Sequence, residues 1–533
     1  MKRRLLSLVL ASAMVLSVTA CGSEPSKKAT GDAGNVTSEN TGDGQDAAKE
    51  ESAAPSSEET QAGPDTSDAV VLKIYGVGNE GGTYNDEIIE AINKITSEEI
   101  NATIDLNMIS WGDYSTKLPA IMASGEDYDL IYTSTWCFFK TEGPKGAFYE
   151  LTPEMLQSCM PKTYAEYPET AWQQGSIDGK VYMVPCVINE FDSTSYVIRG
   201  DLRKKYNVPE VKTTEDLEAY MAAIKENETG MIPYKGSATD NFQTGFVMYP
   251  NDFIPSGGVI AGGVVAPYDD ASVVEAAYKQ EATKEFYGMM HDWYSKGYIA
   301  NDILASKTSS GDNFKTGTSG IAATSLNNAS SLRQDIIAAN ADWELEYVDF
   351  EGDSKVQRIA YNGNGMAVGR NSKNAERALM FLELVYQNQD LYDLINYGIE
   401  GKTYVLNEDG SYSTPEGANP NDLQLPQLWM GLRTAKFDRT SASEWDVVTA
   451  KKAEYAKKAY DNPLVNVTYD LTEVQAEIAA IKNLYDQYQV PMEWGVVDPE
   501  EQYDDLMQKF QDAGMEKVME VVRKQVADQL DLN

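Results

Sequence analysis

The sequence predicts an α/β protein built on a mostly parallel sheet, and three observations carry that expectation. From Val70 onward, β-rich runs alternate with helically spaced apolar residues, the pattern of successive βαβ units. The chain is long, 533 residues of which 42% are hydrophobic, enough for two large domains or three to four ordinary ones. Before Val70 the composition is different: from Gly22 to about Asp68 there is no aromatic residue and little aliphatic beyond Ala and Val36. Such a segment cannot offset its own ordering entropy and is expected to be an acidic, disordered tether over residues 21–69.

The first element precedes that tether. Lys2, Arg3 and Arg4 form a basic start, Leu5 to Val18 is an apolar run, and Val18-Thr19-Ala20 places small residues before Cys21. The run is shorter than the roughly 20 residues needed to cross a bilayer, so residues 1–20 read as a signal peptide. The segment resembles a bacterial lipoprotein signal, which is cut before the cysteine. The resemblance implies that Cys21 carries a diacylglyceryl group, and two acyl chains anchor stably where one does not. The remaining cysteines, Cys137, Cys159 and Cys186, form no C-x-x-C pair and read as buried small apolar residues.

The globular part opens with a strand at Val70 to Tyr75, a Gly76 to Gly82 turn, and a helix from Asn85 to Ile95 spaced through Ile88, Ile89, Ile92 and Ile95. A second strand follows at Ala102 to Ile109, then a helix at Tyr114 to Ala123 and a third strand at Tyr128 to Tyr132. The turn Gly76-Val77-Gly78-Asn79-Glu80-Gly81 satisfies G-x-G-x-x-G, but a dinucleotide site also wants an acidic residue at the end of the second strand. Asp105 lies in the middle of that strand, so the glycines read as a turn that brings backbone close to some ligand. Open α/β sheets bind ligands beyond the carboxyl ends of their strands. Asn79 and Glu80 follow the first strand, Trp111 and Tyr114 the second, and Thr135 and Trp136 the third. Together they are the candidate rim of a binding site.

Further along, Thr213-Thr214-Glu215-Asp216 reads as a capped helix start, Ala375 to Tyr386 as a helix, and Asn407 to Gly410 as a hairpin turn. The stretch from Asp498 to Lys524 reads as a pair of packed amphipathic helices facing inward through Leu506, Phe510, Val518, Val521 and Val522. Composition removes several functions. With 44 Lys+Arg against 83 Asp+Glu the net charge is −39, the wrong sign for a partner with a phosphate backbone. One histidine, His291, cannot build a multi-His metal site, and it reads as a surface residue. No cofactor or metal is expected.

Several segments then carry a family resemblance: Gly179-Lys180-Val181-Tyr182-Met183-Val184-Pro185, Arg199-Gly200-Asp201-Leu202, Trp293-Tyr294-Ser295-Lys296-Gly297-Tyr298-Ile299, and the helix after Asn371-Ser372. From Val70 on, the chain resembles a family-1 extracellular solute-binding lipoprotein of a bacterial carbohydrate ABC importer. Tyr397 to Tyr404 and Phe510 to Met515 are similar to the large C-terminal region of one subgroup. The resemblance implies a two-lobed periplasmic-binding-protein-like (type II) fold with an interlobe cleft. Residues 70–186 and 360–414 would form lobe 1, and 187–359 with 415–533 lobe 2. The chain would cross near Pro185 to Asp192, near Ala360 to Gly365 in the segment holding Asn364, and after Tyr412.

The family further implies a monomer anchored by its lipid on the outer face of the cell membrane of a Gram-positive type envelope, with a sugar or oligosaccharide as ligand and ABC permease subunits as partners. Asp192 matches a hinge carboxylate that bonds sugar hydroxyls. Asn327 and Asn328 stand where such receptors carry an aromatic platform, a role Trp429 could supply. A sugar's apolar faces want aromatic rings and its hydroxyls want carboxylates and amides. Two alternatives stand beside this expectation, a peptide receptor and a cell-surface glycoside hydrolase. The latter needs two carboxylates across a cleft, and Glu190 with Asp192 is the candidate pair.

Overall fold

The computed structural model describes residues 64–530 apart from Asn241, Gln243 and Gly258. Cys21, the signal peptide and the tether up to residue 63 lie outside the described residues. Strand β1 (Val70–Val77) pairs in parallel with β2 (Ala102–Ile109) on one side and β3 (Leu130–Thr133) on the other. Helix α1 (Asn85–Ile100) buries Ile88, Ile92, Thr96 and Ile100, a stripe of fourth-residue spacing that lays one face on the sheet. It ends at Asn101, which takes the left-handed conformation at φ 49°; Asn tolerates that region better than most residues. Helix α2 spans Tyr114–Ser124. Two later strands complete this five-stranded sheet: Gly365–Val368 runs antiparallel to β3, and Val184–Pro185 pairs with it at the edge.

A second sheet holds, in order, Leu345–Val348, Ser195–Arg199, Ser319–Thr324 and Ile232–Tyr234. The helix Thr214–Asn227 covers it and starts with the expected capping box: Asp216 N donates to Thr213 Oγ1 (3.2 Å) and Thr213 N to Asp216 Oδ2 (3.1 Å). Each sheet has its own core. Leu72, Ile74, Leu130 and Phe381 centre the first; Ile198, Tyr220, Trp293 and Ile321 centre the second. The terminal helices Pro499–Asp512 and Met515–Leu530 feed Leu506, Phe510, Val518 and Val522 into the second core.

The chain passes between the cores after Pro185, again between Gln357 and Gly365, and again after Leu432. The crossing strands touch one another, through bridges Phe191 to Arg358 and Val187 to Thr434. Residues 415–437, expected with the second lobe, pack on the first: Leu428 and Leu432 are fully or almost fully buried in its core. Their apolar side chains have a finished face to cover there, which the sequence alone does not reveal. His291 is half-buried on the helix Glu281–Ser295, part of its ring reaching solvent beside Asp498 and its Nδ1 2.8 Å from the carbonyl of Gly495. Cys137, Cys159 and Cys186 are buried and free. Among the described residues, no helix is long and apolar enough to cross a membrane.

Candidate functional site

The turn after β1 is shaped by a glutamine from far along the chain. Gln427 Oε1 accepts from the backbone N–H of Asn79 (2.7 Å) and from the indole Nε1 of Trp111 (3.0 Å), while Gln427 N donates to Asn79 O (3.2 Å). Gly78 sits at φ 124°, and a Cβ there would lie 1.8 Å from Gln427 Oε1. The glycine is required because Gln427 comes close, so the protein's own side chain approaches the backbone that the glycine pattern marked as a place of close approach.

Trp136 is pinned by the second crossing. Its Nε1 donates to Gly363 O (2.9 Å), Thr135 N donates to Asn362 O (3.0 Å), and the Tyr132 hydroxyl donates to Asn364 Oδ1 (2.6 Å). Two residues on, Phe138 holds φ at 68°, a costly conformation for a bulky side chain, and turns the chain into the short helix Phe139–Glu142. The indoles of Trp111 and Trp136 lie nearly parallel, 6.2 Å between centroids and 21° between planes, and Tyr114 sets its ring against both at 5.6 and 6.3 Å. Trp111 is 42% and Trp136 47% exposed. With both N–H groups already bonded to protein, these rings are fixed and what they offer outward is apolar aromatic surface.

At the crossings the polar groups are heavily paired. Arg433 donates to Glu190 Oε1 (2.7 Å) and to Asp438 Oδ2 (2.8 Å), so Glu190 is committed to an ion pair. Asp192 is half-buried and its N–H donates to Gln357 O (2.9 Å). Its charge reaches Tyr460, whose hydroxyl is pushed up first by burial and then by Asp192. Beside them Arg358 Nε bonds Asp461 Oδ1 (3.1 Å), and Tyr268 stands edge-on to Tyr460 at 4.5 Å. Asn327 Nδ2 donates to Phe191 O (3.1 Å) while its Oδ1 is buried without a hydrogen-bond partner. Among the described residues there is no group of three or more His, Cys, Asp or Glu that could hold a metal ion.

The geometry is that of two α/β lobes joined by crossing strands, with aromatic rings fixed on one side. Residues 89–401 match the bacterial extracellular solute-binding proteins, more than half of the chain. The chain belongs to that family. Residues 463–530 match a domain of unknown function (DUF3502). A carbohydrate ABC transporter substrate-binding protein of Streptococcus pneumoniae serotype 4 is 26% identical over 480 residues, covering 86% of this chain and 91% of the relative. The polygalacturonan/rhamnogalacturonan-binding protein YtcQ of Bacillus subtilis is 24% identical over 386 residues, 68% of this chain and 72% of the relative. Among solved structures, the N-glycan transport solute binding protein NgtS of Streptococcus pneumoniae superposes with a TM-score of 0.69 at 22% identity, over 86% of this chain and 99% of that one. The alginate-binding protein AlgQ2 does so with 0.60 at 16% identity, over 87% and 99%. These likenesses establish the two-lobed fold.

Within this solute-binding protein, the expected rim residues separate into groups. Asn79, Trp111, Tyr114, Thr135 and Trp136 are brought together on lobe 1. Asn364 is half-buried behind them and positions Tyr132, and its own carbonyl accepts from Cys186 N (2.9 Å). Glu80 is exposed in a different place, a groove of about 820 Å³ along β2 with Asp86, Asp105 and Lys117. Trp429 is half-buried on the turn Gln427–Met430. Asp192 and Asn327 lie at the first crossing, Asn327 bonded back to it, and Asn328 is exposed beside them. Sequence reasoning missed Gln427, Arg358, Asp461 and Tyr460. No local motif marks Gln427; the positive-φ glycine at 78 is the trace of its approach, and only the fold says what fills it.

Proposed function

We propose that this solute-binding protein captures an oligosaccharide in the cleft between its lobes and delivers it to an ABC permease, held on the outer face of the membrane by lipid on Cys21. The observation that carries this is the Trp111 and Trp136 pair: two fixed, nearly parallel indoles whose hydrogen-bonding atoms are already used. A sugar ring presents a flat apolar C–H face and a belt of hydroxyls, so such a wall takes the faces and leaves the hydroxyls to polar groups opposite. Asp192, Arg358 and Asp461 are the polar groups in reach of the crossing, and a carboxylate there can accept from two neighbouring hydroxyls. The relatives named for carbohydrate, polygalacturonan and N-glycan point the same way. In this reading lobe 1 comprises 70–186 with 360–442, since Asp438 and Arg439 bond to Tyr392, Asp393 and Tyr397, and lobe 2 the residues 187–359 with those from 443 on.

The hydrolase alternative is weakened, since Glu190 is bound to Arg433 and lies only two residues from Asp192 on the same segment, which gives no pair across a cleft. A calorimetric panel of neutral oligosaccharides, charged uronate oligomers and short peptides tests the proposal, with chromatography of each mixture after overnight incubation. Binding of a saccharide without cleavage is the expected result. Binding of peptides alone, or release of shorter saccharides, contradicts it.

A further inference from the structure

The two cores also touch away from the crossings, through a half-buried lysine. Lys140 follows Phe139 of the first core, and its ammonium donates to the carbonyl of Val465 and to that of Val467 at 3.4 Å. Those carbonyls belong to and follow the turn Pro463–Asn466, whose Leu464, together with Val467, is buried in the second core. Asn462 ties that turn to lobe 2 by donating to Pro255 O (2.7 Å) and Gln357 Oε1 (3.1 Å), and the helix Glu169–Gln174 of lobe 1 packs against it. A cation of one lobe is thus held by two backbone oxygens of the other, at the start of the segment that matches a domain of unknown function.

The chemistry of this contact is unlike that of the surface ion pairs. Among the described residues no carboxylate is paired with Lys140, and burial alone pushes its ammonium down to about 8. An ammonium taken from water and given only carbonyl acceptors is incompletely compensated. Such a contact holds while the two surfaces stay in register and is lost once they slide, whereas a buried ion pair would lock them. It is also joined to the binding wall: Trp136 and Lys140 lie two residues to either side of Phe138, the residue held at positive φ.

We propose that Lys140 and the carbonyls of Val465 and Val467 form an interlobe clasp that sets the angle between the lobes in the unliganded protein and yields when ligand turns them. Lys140 is a positioning residue here, and the first turn of the C-terminal segment is its catch. The proposal rests on the cleft reading above, but its first test needs no ligand. Small-angle scattering of the full chain is compared for the parent, Lys140→Glu and Lys140→Arg; the residues before Pro64 are common to all three, so a difference reports the lobes. Lys140→Glu sets a carboxylate against two carbonyl oxygens and should change the scattering profile, while Lys140→Arg should superpose on the parent. The tightest saccharide of the panel should then bind Lys140→Glu with a Kd shifted at least fivefold and Lys140→Arg within about twofold. A Lys140→Glu profile identical to the parent overturns the clasp. If that variant does not fold, Lys140→Met, which removes the charge without reversing it, is scored by the same criterion. If no saccharide binds the parent, the functional reading fails while the scattering still decides the clasp.

Discussion

Gln427 is the residue through which the account of the rim can be broken most specifically. Its carboxamide oxygen accepts two bonds, from Asn79 N and Trp111 Nε1, and the second fixes the orientation of an indole that is 42% exposed. Gln427→Ala removes the one acceptor of both bonds and frees Trp111 to sample other rotamers. The lost bonds are partly solvated, so each is worth about 0.5–1 kcal/mol of stability. The cost to binding is the entropy of re-ordering one large side chain, about 0.5–1.5 kcal/mol, or roughly a two- to tenfold weaker Kd. Gln427→Glu keeps an oxygen in place to accept both bonds and should bind within about twofold of the parent. Calorimetric titration of the three proteins with the same saccharide is the assay. An Ala variant that binds as tightly as the parent, or a Glu variant as weak as Ala, refutes the claim that Trp111 is held ready by this acceptor.

Asp192→Ala should weaken saccharide binding about ten- to a hundredfold, from the 1.5–3 kcal/mol of a hydrogen bond to a charged acceptor, with the melting transition unchanged; an unaltered Kd removes Asp192 from the site. Glu351, buried in lobe 2, has its carboxyl raised from 4.5 to about 8 by burial and then by the charge of Asp349. Its folded form therefore holds a proton that the unfolded chain gives up. Stability should be greatest below about pH 4.5 on this account and fall as the pH rises through 8. Glu351→Gln should remove that slope and gain roughly 2–4 kcal/mol at pH 9, read by urea unfolding; an unchanged slope denies it. Arg377 donates to the carbonyls of Asp65, Asp68, Ile100 and Asn101 at 2.7, 3.3, 2.6 and 2.9 Å. Arg377→Ala should destabilise lobe 1 by about 1–3 kcal/mol, chiefly through the uncompensated buried carbonyl of Ile100, and should speed proteolysis of the Pro64 to Ser67 segment; equal digestion rates would refute that.

What was legible in the sequence was whatever depends on near neighbours. The β2 bounds Ala102 to Ile109, the α1 stripe through Ile88 and Ile92, the Thr213 capping box and the inward face of the terminal helices all follow from periodicity and local hydrogen bonding. The placement of Trp111 and Trp136 on one rim also followed, because strand ends of a parallel sheet point the same way. What stayed hidden depends on long-range approach. Gln427 meets Gly78 across more than three hundred residues, and Leu428 and Leu432 give no sign of which core they enter. The same holds for His291, whose partner is a carbonyl near the C-terminus, and for Lys140, which looks like one more surface lysine until the other lobe covers it.

The fixed indoles of Trp111 and Trp136 are proposed as the sugar-binding wall of the cleft. Titrating the parent and a Trp111→Ala, Trp136→Ala double variant with the tightest saccharide tests this central claim most directly. Losing both rings should cost on the order of 2–5 kcal/mol of binding, so the account predicts a Kd weaker by at least thirtyfold in a variant that still shows the parent's far-ultraviolet circular dichroism. A folded double variant that binds the saccharide with the parent's Kd would contradict it.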